Sequence, residues 1–384
     1  MRIAAVILAL GFVASPSTLA QTAVPATDAA ITEARVRDPN ASFLDVAARR
    51  ADLAGATGER VKAVIKALKP CPPQPYPAPP KGRMIVPPYY LEGSHGPVNP
   101  AHAEAARPFT WFDRALTTAA TRYVATGDAG EAACALKLMA EWADAGALLD
   151  YTRKESSQAW YTVEWVAAAS GLALSVLRNE PSLERGQVQA VAKWLIAIAR
   201  HQLAQLSPNP SATDTSARNN HAYWRGLMAA SIGVAAGDDA LFRLGVGTFR
   251  DAVSHLDENG AWPLEMARHE RAMHYQSFGL QPLILIAELA WRQGIDLYAL
   301  KINGRSIHDA VRFLLRALDD PAVVAPYAQE PQYLNSLKPG SGDFAWGQFY
   351  ARRFPGSGVE KFLDGPLFNS WLGGSAAVYA APAR

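Results

Sequence analysis

The sequence predicts an all-α protein built from antiparallel helical hairpins, and three observations predict it. Apolar residues recur three and four apart through nine segments rich in Ala, Leu, Trp and charged residues. Short turn signals divide those segments: Thr126-Gly127-Asp128, Asn179-Glu180-Pro181, Ser207-Pro208-Asn209-Pro210 and Asp257-Glu258-Asn259-Gly260. Alternating strand patterns are few, the best running from Ser375 to Ala381. Long helices joined by short turns pack as a bundle, a solenoid or a closed toroid. No fixed-period repeat is present, which weighs against a regular solenoid.

In chain order, the first feature is a targeting signal. Met1-Arg2 is a short positive region, Ile3 to Ala14 is an apolar run, and Ser15 to Ala20 supplies small residues. This is the pattern of a signal peptide over residues 1–20, cut before Gln21. The run is short for a membrane span, which needs about 20 residues. The mature chain, 21–384, is therefore expected to be a periplasmic or secreted single domain, monomeric and free of the membrane. Export places Cys71 and Cys134 in an oxidising space, where a pair usually bonds. Closing a loop of that length is worth roughly 4 kcal/mol in the chain-entropy model.

Helices are expected over 43–68, 102–126, 130–146, 156–178, 184–205, 221–236, 239–256, 266–293 and 306–318. The segment 156–178 is apolar almost all round, with Val163, Val166, Leu174 and Leu177 among its residues, so it belongs inside other helices. One stretch breaks the pattern. Between Pro70 and Pro100, eleven residues are proline, which excludes regular helix. The stretch also carries Lys81, Arg83, Tyr89, Tyr90 and His95. It reads either as a linker or as a loop that lies over a groove and closes on a ligand.

Composition narrows the function. The 384 residues carry 37 Lys+Arg against 35 Asp+Glu. A chain so nearly neutral is no bulk-charge nucleic-acid binder, and an anionic ligand must meet a local cluster of bases. No phosphate loop, dinucleotide fingerprint or Gly-x-Ser-x-Gly elbow occurs. His269 and His274 are five apart, about 140° around a helix, so they cannot share one metal. No metal and no cofactor are expected.

Two basic, aromatic clusters remain. Arg218-Asn219-Asn220-His221-Ala222-Tyr223-Trp224-Arg225 opens a predicted helix, where Asn219 or Asn220 suits the N-cap and free N–H groups favour an anion. Arg268, His269, Arg271, His274 and Tyr275 share a second predicted helix. Arg268 and Tyr275, seven apart, would lie on one face about 10.5 Å apart along its axis. Gln158 and Trp165 are likewise seven apart on a third, where the Trp by itself suits core packing.

These residues carry a family resemblance. Asn219-Asn220-His221-Ala222-Tyr223-Trp224 resembles the Asn-Asn-His-Ser-Tyr-Trp signature of family 5 polysaccharide lyases, the mannuronate-specific alginate lyases. Three further segments are similar and in order: Ala133 to Leu148, Arg268 to Tyr275, and Phe368-Asn369-Ser370-Trp371-Leu372-Gly373-Gly374. The resemblance covers about residues 60 to 380. It implies an (α/α) toroid, an incomplete α/α barrel of antiparallel helical hairpins with a long lid loop at about 70–100. It also implies that Asn220, His221 and Arg268 neutralise the substrate carboxylate and that Tyr275 is the catalytic tyrosine. Gln158 and Trp165 match sugar contacts, and Cys71 and Cys134 match a disulfide pair. Asn219, Arg218, Arg225, Arg271, Tyr89 and Tyr90 are added here as candidate substrate-binding residues.

The chemistry suits such residues. β-Elimination at a 4-linked uronate removes the C5 proton, which is acidic only when its carboxylate is neutralised by donors such as Arg, Asn and His. An acid must then protonate the leaving O4. In β-D-mannuronate H5 and O4 share a face, so one tyrosine can serve both steps. Lowering its pKa by about 2 units from 10 needs ~2.7 kcal/mol, which neighbouring Arg charges are expected to supply. His221 is the alternative base, though the resemblance places it on the carboxylate.

Arg218, Arg225 and Gln276 depart from the family pattern, and extra cations are expected to widen the range of anionic polymers. Glucuronate shares its C4 and C5 configuration with mannuronate, so polyglucuronate and hyaluronan are candidate substrates beside polymannuronate. Two rivals stand beside the lyase. An inverting glycoside hydrolase would need two carboxylates flanking the bond, drawn from Asp113, Glu141, Glu164 and Glu265. A non-catalytic periplasmic polyuronate-binding protein would not need Tyr275.

Overall fold

The computed structural model describes residues 23–93, 95–211 and 213–383, and for His95 only the backbone. The expected signal peptide, 1–20, lies outside the described residues. The chain begins with β1 (Val24–Pro25), α1 (Asp28–Thr32), α2 (Val46–Ala54) and α3 (Glu59–Ala67), followed by β2 (Tyr90–Glu92) and β3 (His95–Val98). The body comprises α4 (Pro100–Thr126), α5 (Ala129–Asp144), α6 (Ser157–Leu177), α7 (Arg185–Ala204), α8 (Asn220–Ala236) and α9 (Asp239–Ser254). It continues through α10 (Pro263–Met266), α11 (Ala272–Arg292), β4 (Ile295–Asp296), α12 (Ile307–Asp319) and α13 (Ala345–Arg353). Last come β5 (Phe368–Asn369), β6 (Gly374–Ser375) and α14 (Ala376–Ala380).

Helix pairs α4/α5, α6/α7, α8/α9 and α11/α12 stack side by side as antiparallel hairpins, with α4, α6, α8 and α11 inside. Helices α13 and α14 bridge α11 back to α4 and close the ring, giving the expected (α/α) toroid. Sequence sets the layers. Helix α6 is buried along almost its whole length, and α8 nearly so, whereas α7 and α9 bury one stripe each. Gly171 lets α6 touch α8, since a Cβ there would come within 2.6 Å of Ser231 Oγ. Among the described residues α6 alone has the length and hydropathy to suit a membrane, but here it is the core of the ring.

Three expectations about elements are corrected. The single helix over 43–68 is two, α2 and α3, because the chain leaves the helix at Gly55 and restarts after Gly58. The strand over 375–381 is the buried helix α14, capped by the Ser375 side chain. Its residues are buried on every side, so alternation there reports no face. Helix α13, 345–353, lies outside every predicted element.

The Pro-rich stretch is tied down for half its length. A disulfide joins Cys71 to Cys134 on α5, with Cα atoms 6.2 Å apart. Met84 N donates to Asp150 O at 2.8 Å, and Val86 exchanges hydrogen bonds with Ser156 Oγ at the start of α6. Beyond these ties stands the β2–β3 hairpin, antiparallel, with Tyr90 opposite Val98.

Candidate active site

The N-terminal halves of α6, α8 and α11 converge, as aromatic contacts between them record. His221 of α8 stacks on Tyr161 of α6 at 3.5 Å and 15°. Trp165 of α6 stacks on Trp371 at 4.5 Å, and Phe278 of α11 meets Trp165, Trp224 and Trp371 edge-on or tilted. Helix N-termini carry partial positive charge and unpaired N–H groups, so three of them at one place favour an anion. Gln158, Tyr161 and Trp165 recur on one stripe of α6. Gln158 Nε2 and Trp165 Nε1 are buried donors without a protein partner.

The two asparagines divide their work. Asn219 is the N-cap of α8, its Oδ1 accepting from His221 N at 3.0 Å. Asn220 is held from behind by Glu265, which accepts from the backbone N at 2.6 Å and from Nδ2 at 2.9 Å. His221 is mostly buried, and its Nδ1 has no hydrogen-bond partner. Burial, then the charges of Arg268, Arg225 and Arg153, hold its pKa well below 6.5. His221 is therefore neutral and meets a ligand through hydrogen bonds. It offers one N–H and one lone pair.

The predicted helix 266–293 is broken at its start, which changes Arg268. Helix α10 stops at Met266, Ala267 to Arg271 turn through a 3₁₀ segment with His269 at φ 52°, and α11 begins at Ala272. Arg268 thus does not stand two helical turns from Tyr275. The turn folds it back, so that its guanidinium lies 4.7 Å above the Tyr275 ring, with Glu265 behind it at 3.9 Å. Burial raises the Tyr275 pKa above 10; Arg268 pulls it down, Glu265 pushes it up, and a hydrogen bond from Tyr90 and the charge of Arg271 lower it. Arg268 and Arg271 act in the expected direction, but burial is the larger effect and the net shift is upward, so Tyr275 rests as a phenol.

Tyr90 and Arg271 belong to the Pro-rich stretch and its anchor. The Arg271 guanidinium lies between the rings of Tyr90 (4.4 Å) and Tyr333 (4.5 Å) and donates to Gly96 O at 3.3 Å. Tyr89, exposed, meets Tyr90 and His102 edge-on. The β2–β3 hairpin therefore rests on Tyr275 through Tyr90, held there by Arg271.

Two candidate cations lie elsewhere. Arg225 is 5% exposed and buried behind the site, bonded to Glu164 at 2.7 Å and to Ser216 O at 3.0 Å. Arg218 is exposed, and its charge is felt at His255. Burial and these bonds keep Arg225 from meeting substrate as expected, whereas Arg218 stays exposed. Gln276 stitches the turn before α10, bonding Gly260 O and Trp262 N. His269 and His274 turn to different partners, Glu330 and Ser336.

Sequence reasoning missed Tyr161 and Arg153, quoted Trp371 only within a motif, and read the buried carboxylates only as hydrolase candidates. Arg153 lies 4.4 Å from the Trp160 ring, bonds Asp214 and Ser216, and its charge reaches His221. Glu164, Glu265 and Asp113 are fully buried, each with a raised pKa caused first by desolvation, and Asp113 bonds Trp371. Glu141 pairs with Lys137 on α5. None of the four flanks an open groove as a hydrolase pair would.

Comparison with known proteins agrees with this geometry. The alginate lyase family model matches residues 57–324. Alginate lyase A1-III from Sphingomonas species A1 is 42% identical, with a TM-score of 0.84 over 91% of this chain and 98% of that one. Histidine-to-alanine and tyrosine-to-phenylalanine variants of that enzyme, each complexed with a tetrasaccharide, superpose with TM-scores of 0.86. A polysaccharide lyase of Stenotrophomonas maltophilia is 31% identical over 313 residues, 79% of this chain and 90% of that protein.

Proposed function

Because the chain belongs to the alginate lyase family, and is thus a polysaccharide lyase acting on 4-linked polyuronates, we propose that Arg268 and Tyr275 carry its β-elimination. The observation that carries this reading is the Arg268 guanidinium on the face of Tyr275, beside Asn220 and a neutral His221 at three converging helix N-termini. Arg268 supplies the positive charge for the C6 carboxylate, so that charge gathering there as H5 leaves is stabilised. Asn220 lends a dipole, held in place by Glu265. Gln158 Nε2 and Trp165 Nε1 donate to sugar oxygens, and the Trp165–Trp371 pair walls the groove. Tyr90 closes the groove over Tyr275 as part of a lid.

Tyr275, a phenol at rest, protonates the leaving O4. The motif also assigns it the removal of H5, as phenolate, on the face that H5 and O4 share in mannuronate. The protonation states favour a second reading for that step. Tyr275 must ionise against a raised pKa before it can act as base, whereas neutral His221 has a lone pair available throughout the neutral range.

Glucuronate has the same configuration at C4 and C5, so we extend the substrate range to polyglucuronate and hyaluronan. Export, proposed from residues 1–20, agrees with the Cys71–Cys134 disulfide. The test is a substrate panel followed by ultraviolet absorbance of the C4=C5 product. Polymannuronate and the glucuronate polymers should be cut. Good cleavage of polyguluronate alone would overturn the proposed range.

A further inference from the structure

A cavity of about 630 Å³ opens at the end of the ring away from Tyr275. It lies where α11 and α13 finish, at Trp291, Arg353 and Phe354, about 24 Å along α11 from Tyr275. That volume is ordinary for a small-ligand site. Phe43 before α2 and Tyr298 after β4 complete an aromatic wall. Trp291 and Phe354 are half-buried and keep part of their surface open. Arg353 lies over one face of Trp291 at 4.0 Å, so a sugar ring would meet the other.

Three arginines share this cavity, and their partners differ. Arg353 is committed to Glu288, bonding it through Nε at 2.5 Å and Nη2 at 2.7 Å. Arg292 leans on Asp45 at 3.5 Å, and its Nε is buried without a hydrogen-bond partner. Arg352 is exposed, and among the described residues it bonds only Tyr379 O, from Nη1 at 3.4 Å. Its charge is felt by buried Arg49, whose pKa burial and then Arg352 pull down to about 10. Two guanidiniums that repel each other favour an anion beside them. The two aspartates of the wall each spend one oxygen on a backbone N–H, Asp45 on Ala48 at 2.9 Å and Asp296 on Ala299 at 3.2 Å. Their other oxygens remain as acceptors for hydroxyl groups.

We propose that this cavity is a second, non-catalytic carbohydrate site that takes one or two uronate residues. The carboxylate lies on Arg352 and Arg292 Nε, the pyranose ring on Trp291, and the sugar hydroxyls donate to Asp45 and Asp296. A simple anion such as phosphate would meet those two carboxylates with no hydroxyls to donate, and a neutral sugar would leave the arginines unused. The choice of uronate rests on the lyase reading, which makes such residues the polymer and product this chain meets. The site holds no reacting atom. It binds a chain end or released product away from the groove.

The test is calorimetric titration of full-length Tyr275→Phe with mannuronate disaccharide. We expect two sites per chain. Adding Arg352→Glu should leave the groove site as it is and weaken the second more than about tenfold, as loss of a charge-assisted hydrogen bond does. Adding Ala299→Trp instead, which fills the cavity from an exposed position, should have the same effect. A single site per chain, or two sites that neither substitution weakens, would overturn the proposal. Mannobiose, which lacks the carboxylate, should not bind there, and inorganic phosphate should not displace the disaccharide; either result reversed would reject a uronate as the ligand. Arg352→Glu alone should cut mannuronate tetrasaccharide with wild-type kcat, and a lost kcat would reject a non-catalytic role. Failure of the lyase reading is separate: the wild type would release no ultraviolet-absorbing product, while binding that depends on Arg352 stayed measurable.

Discussion

Arg225 offers a decisive perturbation, because sequence and structure assign it opposite roles. It was expected to meet substrate, yet it is buried against Glu164, Ser216 O and the Trp160 ring at 4.7 Å. Replacing it with Met keeps much of the volume and leaves Glu164 buried without its cation. Breaking a buried pair from one side costs about 3–5 kcal/mol. At roughly 2.1 cal/mol/K per residue, a chain of this length loses about 4–6 °C in Tm. The loss depends on pH. Burial holds Glu164 at about 7, against an ordinary 4.5. A folded pKa above the unfolded one means that stability falls as pH rises from 4.5 to 7, by roughly 3 kcal/mol in all. Arg225 leads the influences that lower that value, so without it the decline continues past pH 7. Thermal unfolding should therefore show a larger deficit at pH 8 than at pH 5.5. A variant with wild-type Tm at both pH values and a raised KM would refute the buried-pair account and return Arg225 to the groove.

Three further outcomes follow from the same geometry. Arg268→Ala should lower kcat by about 10²–10³, as loss of a transition-state donor does, and Arg268→Lys should recover only part because it cannot keep the planar stack on Tyr275; equal activity of all three proteins would remove Arg268 from the reaction. Cys71→Ser/Cys134→Ser should lose roughly 4 kcal/mol of stability for a loop of 63 residues, read by denaturant midpoint, and no change would mean that the Pro-rich stretch is held by its other ties. The kcat/KM profile should level off above pH 7, once Glu164 has ionised, because burial and three arginines keep His221 neutral there and burial keeps Tyr275 protonated; a continued tenfold rise per pH unit would assign the base to the Tyr275 phenolate.

Much of the ring was legible in the sequence, since α4 to α9 are long, periodic and punctuated by Gly, Pro and Asp. The site motif at 219–224 was legible too, because an N-cap Asn, a His and two aromatics crowd one helix start. Other parts were hidden for physical reasons. Helix α14 is buried on all sides, and such helices show no amphipathic period. The turn at 267–271 has no Pro or Gly to mark it, and it decides where Arg268 points. Glu164 and Glu265 looked like hydrolase carboxylates in a one-dimensional reading. Only the packing of α6 and α10 against α8 shows that they sit behind Asn220 and His221 and bind protein groups. Arg225 ends the motif, yet it is buried against Glu164 and Ser216.

The central claim is that this groove eliminates across C4–C5 of a 4-linked uronate with Tyr275 moving the proton. Polymannuronate, incubated with wild-type protein, should gain ultraviolet absorbance and reducing ends together. With Tyr275→Phe it should bind and gain neither. Reducing ends without absorbance from the wild type, or full absorbance from Tyr275→Phe, would contradict the account.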